Sequence, residues 1–159
     1  MNILTGVLNA VLAAALALGT ITHAAAADAH GHDGSAIGAL KLNAGKKWQT
    51  DAPLRKGMSE IRAAIGADKA AIETGKMTPD RYSALAKKIE SQVAYMIENC
   101  KLTPDADAQL HLIIADLASG SDGMKGKDAA ARKAGAEKVI AALDAYGKYF
   151  DHPGWRPVG

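Results

Sequence analysis

Between residues 51 and 150 the apolar positions recur every three or four residues in four separate stretches. Leu54, Met58, Ile61, Ile65 and Ile72 are spaced by 4, 3, 4 and 7, the period that places side chains on one face of a helix. Tyr82, Leu85, Ile89, Val93, Met96 and Cys100 make a second stripe; Leu110, Ile113, Ile114 and Leu117 make a shorter third. Val139, Leu143, Tyr146 and Phe150 make a fourth. Charged residues occupy the opposite faces, so each stretch reads as an amphipathic helix that must bury one side. Asp68 interrupts the first stripe, and nothing in the pattern accounts for it.

Start and stop signals bound the four helices. Thr50-Asp51-Ala52-Pro53, Thr78-Pro79-Asp80 and Thr103-Pro104-Asp105 each supply an N-cap oxygen, a first-turn proline and an acid at the positive end of the helix dipole. The first helix is expected to end near Thr74 before Gly75, the second near Cys100, and the third near Ser119. Gly120-Ser121-Asp122-Gly123 then reads as a turn. A fourth helix is expected from about Lys127 to Phe150, stopped by Pro153 and Gly154. Connections this short make neighbours antiparallel, which predicts an all-α, up-down-up-down four-helix bundle over residues 51–159.

Residues 28–50, rich in Gly, Ala and His and without period, read as a flexible arm. Ahead of them, Ile3 to Ile21 is uncharged and nearly all Leu, Val, Ala, Ile and Gly. It reads as the apolar region of a signal peptide over residues 1–27. Ala25 and Ala27 meet the small-x-small rule for cleavage, and no basic stop-transfer flank follows. The alternative is a retained anchor near the lower length limit of a membrane span. Cleavage implies a periplasmic or secreted protein with no membrane attachment.

Cleavage after Ala27 exposes Asp28-Ala29-His30, followed by Gly31-His32-Asp33. A free amine, two amide nitrogens and an imidazole at the third position make the square-planar nitrogen set that Cu(II) and Ni(II) favour. Asp28, His30 and His32 are therefore candidate metal ligands; the plainer alternative is a solvated tail. In the bundle, antiparallel topology brings the start of helix 1, the end of helix 2, the start of helix 3 and the end of helix 4 to one pole. Met58, Met96, Cys100, His111 and His152 gather there. Thioether, thiol and imidazole together suit a soft ion, Cu(I) first. Each also has an ordinary reading: Met58 and Met96 as core filler, and Cys100 as a small buried hydrophobe. His111 could equally be a boundary histidine, and His152 a residue that closes the bundle end or faces water. Trp48 and Trp155 bracket the same pole and are expected to cap it.

Composition narrows the function. The formal charge of +2 arises from interspersed Lys and acids, with a pI near 8.6. No basic block exists to bind nucleic acid or an anionic membrane. Aromatics are 4% of residues and alanine is the commonest residue, which argues for helices rather than sheet. There is no Ser-His-Asp grouping, no glycine-rich phosphate loop and no His-Glu-x-x-His, so a non-enzymatic role is expected.

Met58 near the start of helix 1 and His152 near the end of helix 4 resemble the axial haem ligands of the small periplasmic b-type cytochromes, which are four-helix bundles. The resemblance spans about Leu54 to His152 and implies non-covalent haem b and electron transfer. Covalent haem is excluded, since Cys100 is the single cysteine and no Cys-x-x-Cys-His occurs. In size and export the chain also resembles small helical copper-binding proteins of bacterial periplasms. Three expectations follow. The first is a periplasmic protein binding one or two copper ions for binding, resistance or delivery. The second is a b-type haem electron carrier. The third is a cofactor-free bundle that docks a periplasmic protein partner.

Overall fold

The computed structural model describes residues 35–158. The expected signal peptide, its cleavage site and the Asp28, His30 and His32 motif lie outside the described residues. Four helices form the body: α1 (Ala52–Glu73), α2 (Pro79–Asn99), α3 (Pro104–Met124) and α4 (Ala129–Tyr149). Each neighbour in the chain packs on the next, and α4 closes the ring on α1. The four-helix bundle read from the apolar stripes is the observed architecture. Leu54, Met58, Ile61, Ile65, Ile89, Met96, Leu110, Ile113, Leu117, Val139, Leu143, Tyr146 and Phe150 fill the core, all at most 2% exposed. Among the described residues no helix is long and apolar enough to cross a membrane.

The caps show why the helices begin where they do. Asp51 Oδ1 accepts the Leu54 N–H at 2.9 Å, Thr78 Oγ1 accepts that of Arg81 at 3.3 Å, and Asp128 Oδ1 accepts that of Ala131 at 2.7 Å. Each satisfies one of the amides that a helix start leaves without an internal partner. Thr103 makes no such side-chain bond, so α3 relies on Pro104 and the first-turn acids. Asp68, unexplained by its stripe, accepts Arg81 Nε at 2.7 Å and thereby ties α1 to the first turn of α2.

Two expectations are corrected. Gly120-Ser121-Asp122-Gly123 is the last part of α3, which runs on to Met124. The glycines serve packing there. A Cβ on Gly120 would sit 2.7 Å from the Gly135 carbonyl oxygen, and one on Gly123 would sit 2.9 Å from Gly135 Cα. The α3 and α4 backbones meet at a distance only glycine allows, and that contact overrides the local turn preference.

The second correction concerns the arm. From Ser35 onward the segment expected to be flexible is packed on the bundle. Asp116, 1% exposed on α3, accepts Ser35 Oγ at 2.6 Å and the N–H groups of Ala36 and Ile37 at 3.0 and 3.2 Å. A 3₁₀ turn, Ala36–Ala39, follows, Leu40 enters the core, and Lys41 N–H reaches Gln109 Oε1 at 2.8 Å. The short strand β1 (Trp48–Gln49) then pairs in parallel with β2 (Phe150–Asp151), Trp48 opposite Phe150. The folded unit therefore takes in residues the sequence assigned to the arm.

Burial works against the Asp116 charge. It is outweighed by Ser35, the two backbone N–H groups and the Lys138 ammonium, so the carboxyl titrates below the ordinary carboxylate range. Its contribution is present above about pH 4 and is lost as pH falls through that lowered value. Asp116→Ala should detach residues 35–40, read as faster amide exchange there, and cost about 2 kcal/mol of stability in urea unfolding.

Candidate soft-metal site at one pole of the bundle

The start of α1, the end of α2, the start of α3 and the end of α4 meet at one pole. Asp51 joins them: while Oδ1 caps α1, Oδ2 accepts the Lys101 N–H, just past α2, at 2.6 Å. Cys100 terminates α2 and lies half-buried against the core. It follows Met96 by four residues and its backbone N–H donates to the Met96 carbonyl at 2.9 Å.

Between α2 and α3 a cavity of about 160 Å³ is lined by Met96, Cys100, Asp107 and His111, with apolar walls from Ile97, Leu110 and Ile114. Met96 is wholly buried. Its chain lies in a notch left by Gly57, where a Cβ would come within 2.5 Å of Met96 Cγ and 2.8 Å of Sδ. The Cys100 thiol is pushed up to about 12, first by burial, then by the charge and hydrogen bond of Asp51, and further by Asp107. It is a protonated thiol at neutral pH, and an ion that binds the sulfur must displace that proton. The carboxylates that disfavour a bare thiolate also favour a cation beside it.

His111 Nδ1 lies 2.9 Å from the Asp107 carbonyl oxygen, and its side chain is largely exposed. A carbonyl oxygen only accepts, so Nδ1 carries the proton and Nε2 carries the lone pair available to a metal. Asp107 Oδ2 lies 3.4 Å from the same Nδ1. Backbone and carboxylate together fix the tautomer a ligand histidine needs.

The remaining sequence candidates sit elsewhere. Met58 is wholly buried in the core and is not a wall of the cavity. His152 belongs to a second group at the same pole. Its Nδ1 is 3.0 Å from Tyr146 Oη and its Nε2 is 3.5 Å from Ser59 Oγ, and its ring leans on Trp155 at 5.0 Å between centroids. Both ring nitrogens are thus engaged. Asp28, His30 and His32 lie outside the described residues. Sequence reasoning missed Asp107 on the cavity wall, Asp51 as a partner of the Cys100 thiol, and Tyr146 as the partner of His152. Asp51 had a legible role as a cap, but its second oxygen contacts α2 only through tertiary packing.

Among the described residues no three His, Cys, Asp or Glu side chains form a cluster able to hold an ion. Cys100, Asp107 and His111 share the cavity wall without forming such a cluster. The donor types on the wall are a thioether, a thiol, a carboxylate and one imidazole. No protein family, no curated protein and no solved structure matches the chain.

Proposed function

We propose that the protein is a periplasmic, non-enzymatic metal-handling bundle whose folded domain takes one Cu(I) ion through Met96, Cys100 and His111. The observation that carries this reading is the single cavity lined by all three. Cu(I) accepts two or three soft ligands, needs no carboxylate cage, and is held by the donor types present. Asp51 and Asp107 supply negative charge close to the thiol. A second ion, Cu(II), is assigned to the amino terminus created by cleavage after Ala27, through Asp28 and His30 with His32 adjacent. Resistance or delivery, with a periplasmic protein as the exchange partner, is the role that fits an exported protein of so few sites.

Competition against a chromophoric Cu(I) chelator tests the bundle site. The expected result is one Cu(I) retained per chain in a protein truncated before Ser35, which removes the amino-terminal motif. No retention would overturn the reading. Haem b is the second reading, through Met58 and His152. The His152 ring reaches Ser59, the residue next to Met58, but haem ligation would require His152 to leave Tyr146 and Met58 to leave the core. Adding haem and recording the visible spectrum separates the two: the copper reading predicts no Soret shift, and a ligated haem spectrum would replace it. A chain that takes neither copper nor haem would be left with the third role, docking a protein partner.

A further inference from the structure

We propose that residues 150–158 are a strap latched to the bundle by a neutral His152, and that acidification opens the latch. The proposal is independent of the copper reading and incompatible with the haem one, since His152 bonded to Tyr146 is not available to iron.

The strap is held at several points. Phe150 and Asp151 pair with β1, and Thr50 Oγ1 donates to the Asp151 carbonyl at 2.5 Å. Arg62 Nε donates to the Arg156 carbonyl at 2.5 Å, with its guanidinium 5.9 Å from the Trp155 ring centre. Trp155 stands edge-on to Tyr146 at 4.7 Å between centroids. It packs where Gly147 has no side chain, a space a Cβ would fill. At the centre of these contacts is Tyr146, 0% exposed, whose hydroxyl meets His152 Nδ1.

A buried phenol must give its proton to an acceptor. Neutral imidazole with its proton on Nε2 provides that acceptor at Nδ1 and turns an N–H toward Ser59 Oγ. Imidazolium carries protons on both nitrogens. The phenol can then only accept, and its own proton is left without a partner in a buried place. The charges facing the ring add to the effect. Arg55, on α1, opposes a positive imidazole. Arg62, on α1, and Arg156, on the strap, lie at the neighbouring Trp155 contact. On the anionic side, the Asp51 and Asp151 carboxylates act on Tyr146, with Asp151 Oδ2 3.4 Å from Gln49 Nε2. Burial first, then Arg55, lowers the His152 pKa from its ordinary 6.5. A base with a lowered pKa favours the latched state fully above the free value. That contribution is lost as pH falls from there through the lowered value.

Hydrogen exchange, corrected for intrinsic rates, tests the latch on the full chain. Amides of residues 150–155 should exchange faster at pH 5 than at pH 7.5, while peptides from the centres of α1 to α4 stay protected at both. In His152→Gln the amide oxygen still accepts from Tyr146 but does not titrate, and the pH difference should vanish. Equal strap exchange at both pH values in the native protein would overturn the proposal, as would a pH difference as large in His152→Gln. An NMR titration of the His152 ring needs no variant: a midpoint below 6.5 is expected, and one at or above it contradicts the latch.

Discussion

Gly135→Ala should destabilise the bundle by about 3 kcal/mol, a large cost for one methyl group. The added Cβ would lie 2.5 Å from Met124 N, 2.6 Å from the Gly120 carbonyl oxygen and 2.6 Å from Gly123 C. All three are backbone atoms of α3, so no rotamer change relieves the clash. The two helices would have to separate along their closest contact, with Gly120 and Val139 losing packing on either side. Gly66→Ala is the internal control. Nothing lies within 4 Å of a Cβ there, and in an exposed helix interior alanine should stabilise by about 0.5–1 kcal/mol. Urea unfolding of the pair therefore gives shifts of opposite sign. Equal midpoints for Gly135→Ala and the native protein would show that α3 and α4 do not meet as described.

Cys100→Ser combined with Met96→Leu should lower Cu(I) affinity by more than about 100-fold, the upper range for losing a mere supporting group around a metal. Serine keeps a donor to Asp51 and leucine keeps the buried volume, so both helix packing and the cap survive. His111→Gln should cost less, because imidazole is the softer site's exposed ligand. Gly57→Ala separates ligand from scaffold: it changes no donor, yet its Cβ would occupy the space of the Met96 thioether, and Cu(I) affinity should fall in proportion to that displacement. Because the Cys100 thiol is protonated up to about pH 12, each bound ion displaces one proton, and affinity should rise about tenfold per pH unit through neutrality. Chelator competition at pH 6, 7 and 8 checks both effects.

The stripes of α1 and α2 were legible because their apolar residues alternate cleanly with charge, and because Asp51 and Thr78 are caps whose action is local. The C-terminal part of α3 was not. Gly120 and Gly123 carry a turn signal in sequence, but their smallness is used against Gly135, fifteen and twelve residues on, and no local pattern records that. The same reason hid the order of residues 35–50. Their anchor is one buried carboxylate, Asp116, and a two-residue parallel pairing of Trp48 with Phe150, both long-range and without period. Met96 and Cys100 could be placed together from their spacing alone. The link of Cys100 to Asp51 could not, because it depends on how the start of α1 meets the end of α2. His152 was legible as a residue of the pole, but its bond to Tyr146 depends on β2 leading the chain away from α4.

X-ray absorption at the copper edge of the Cu(I)-loaded bundle, truncated before Ser35, tests the metal centre most directly. Met96, Cys100 and His111 predict two sulfur neighbours and one nitrogen, with one sulfur remaining in Met96→Leu. A first shell of nitrogen and oxygen alone would contradict the assignment.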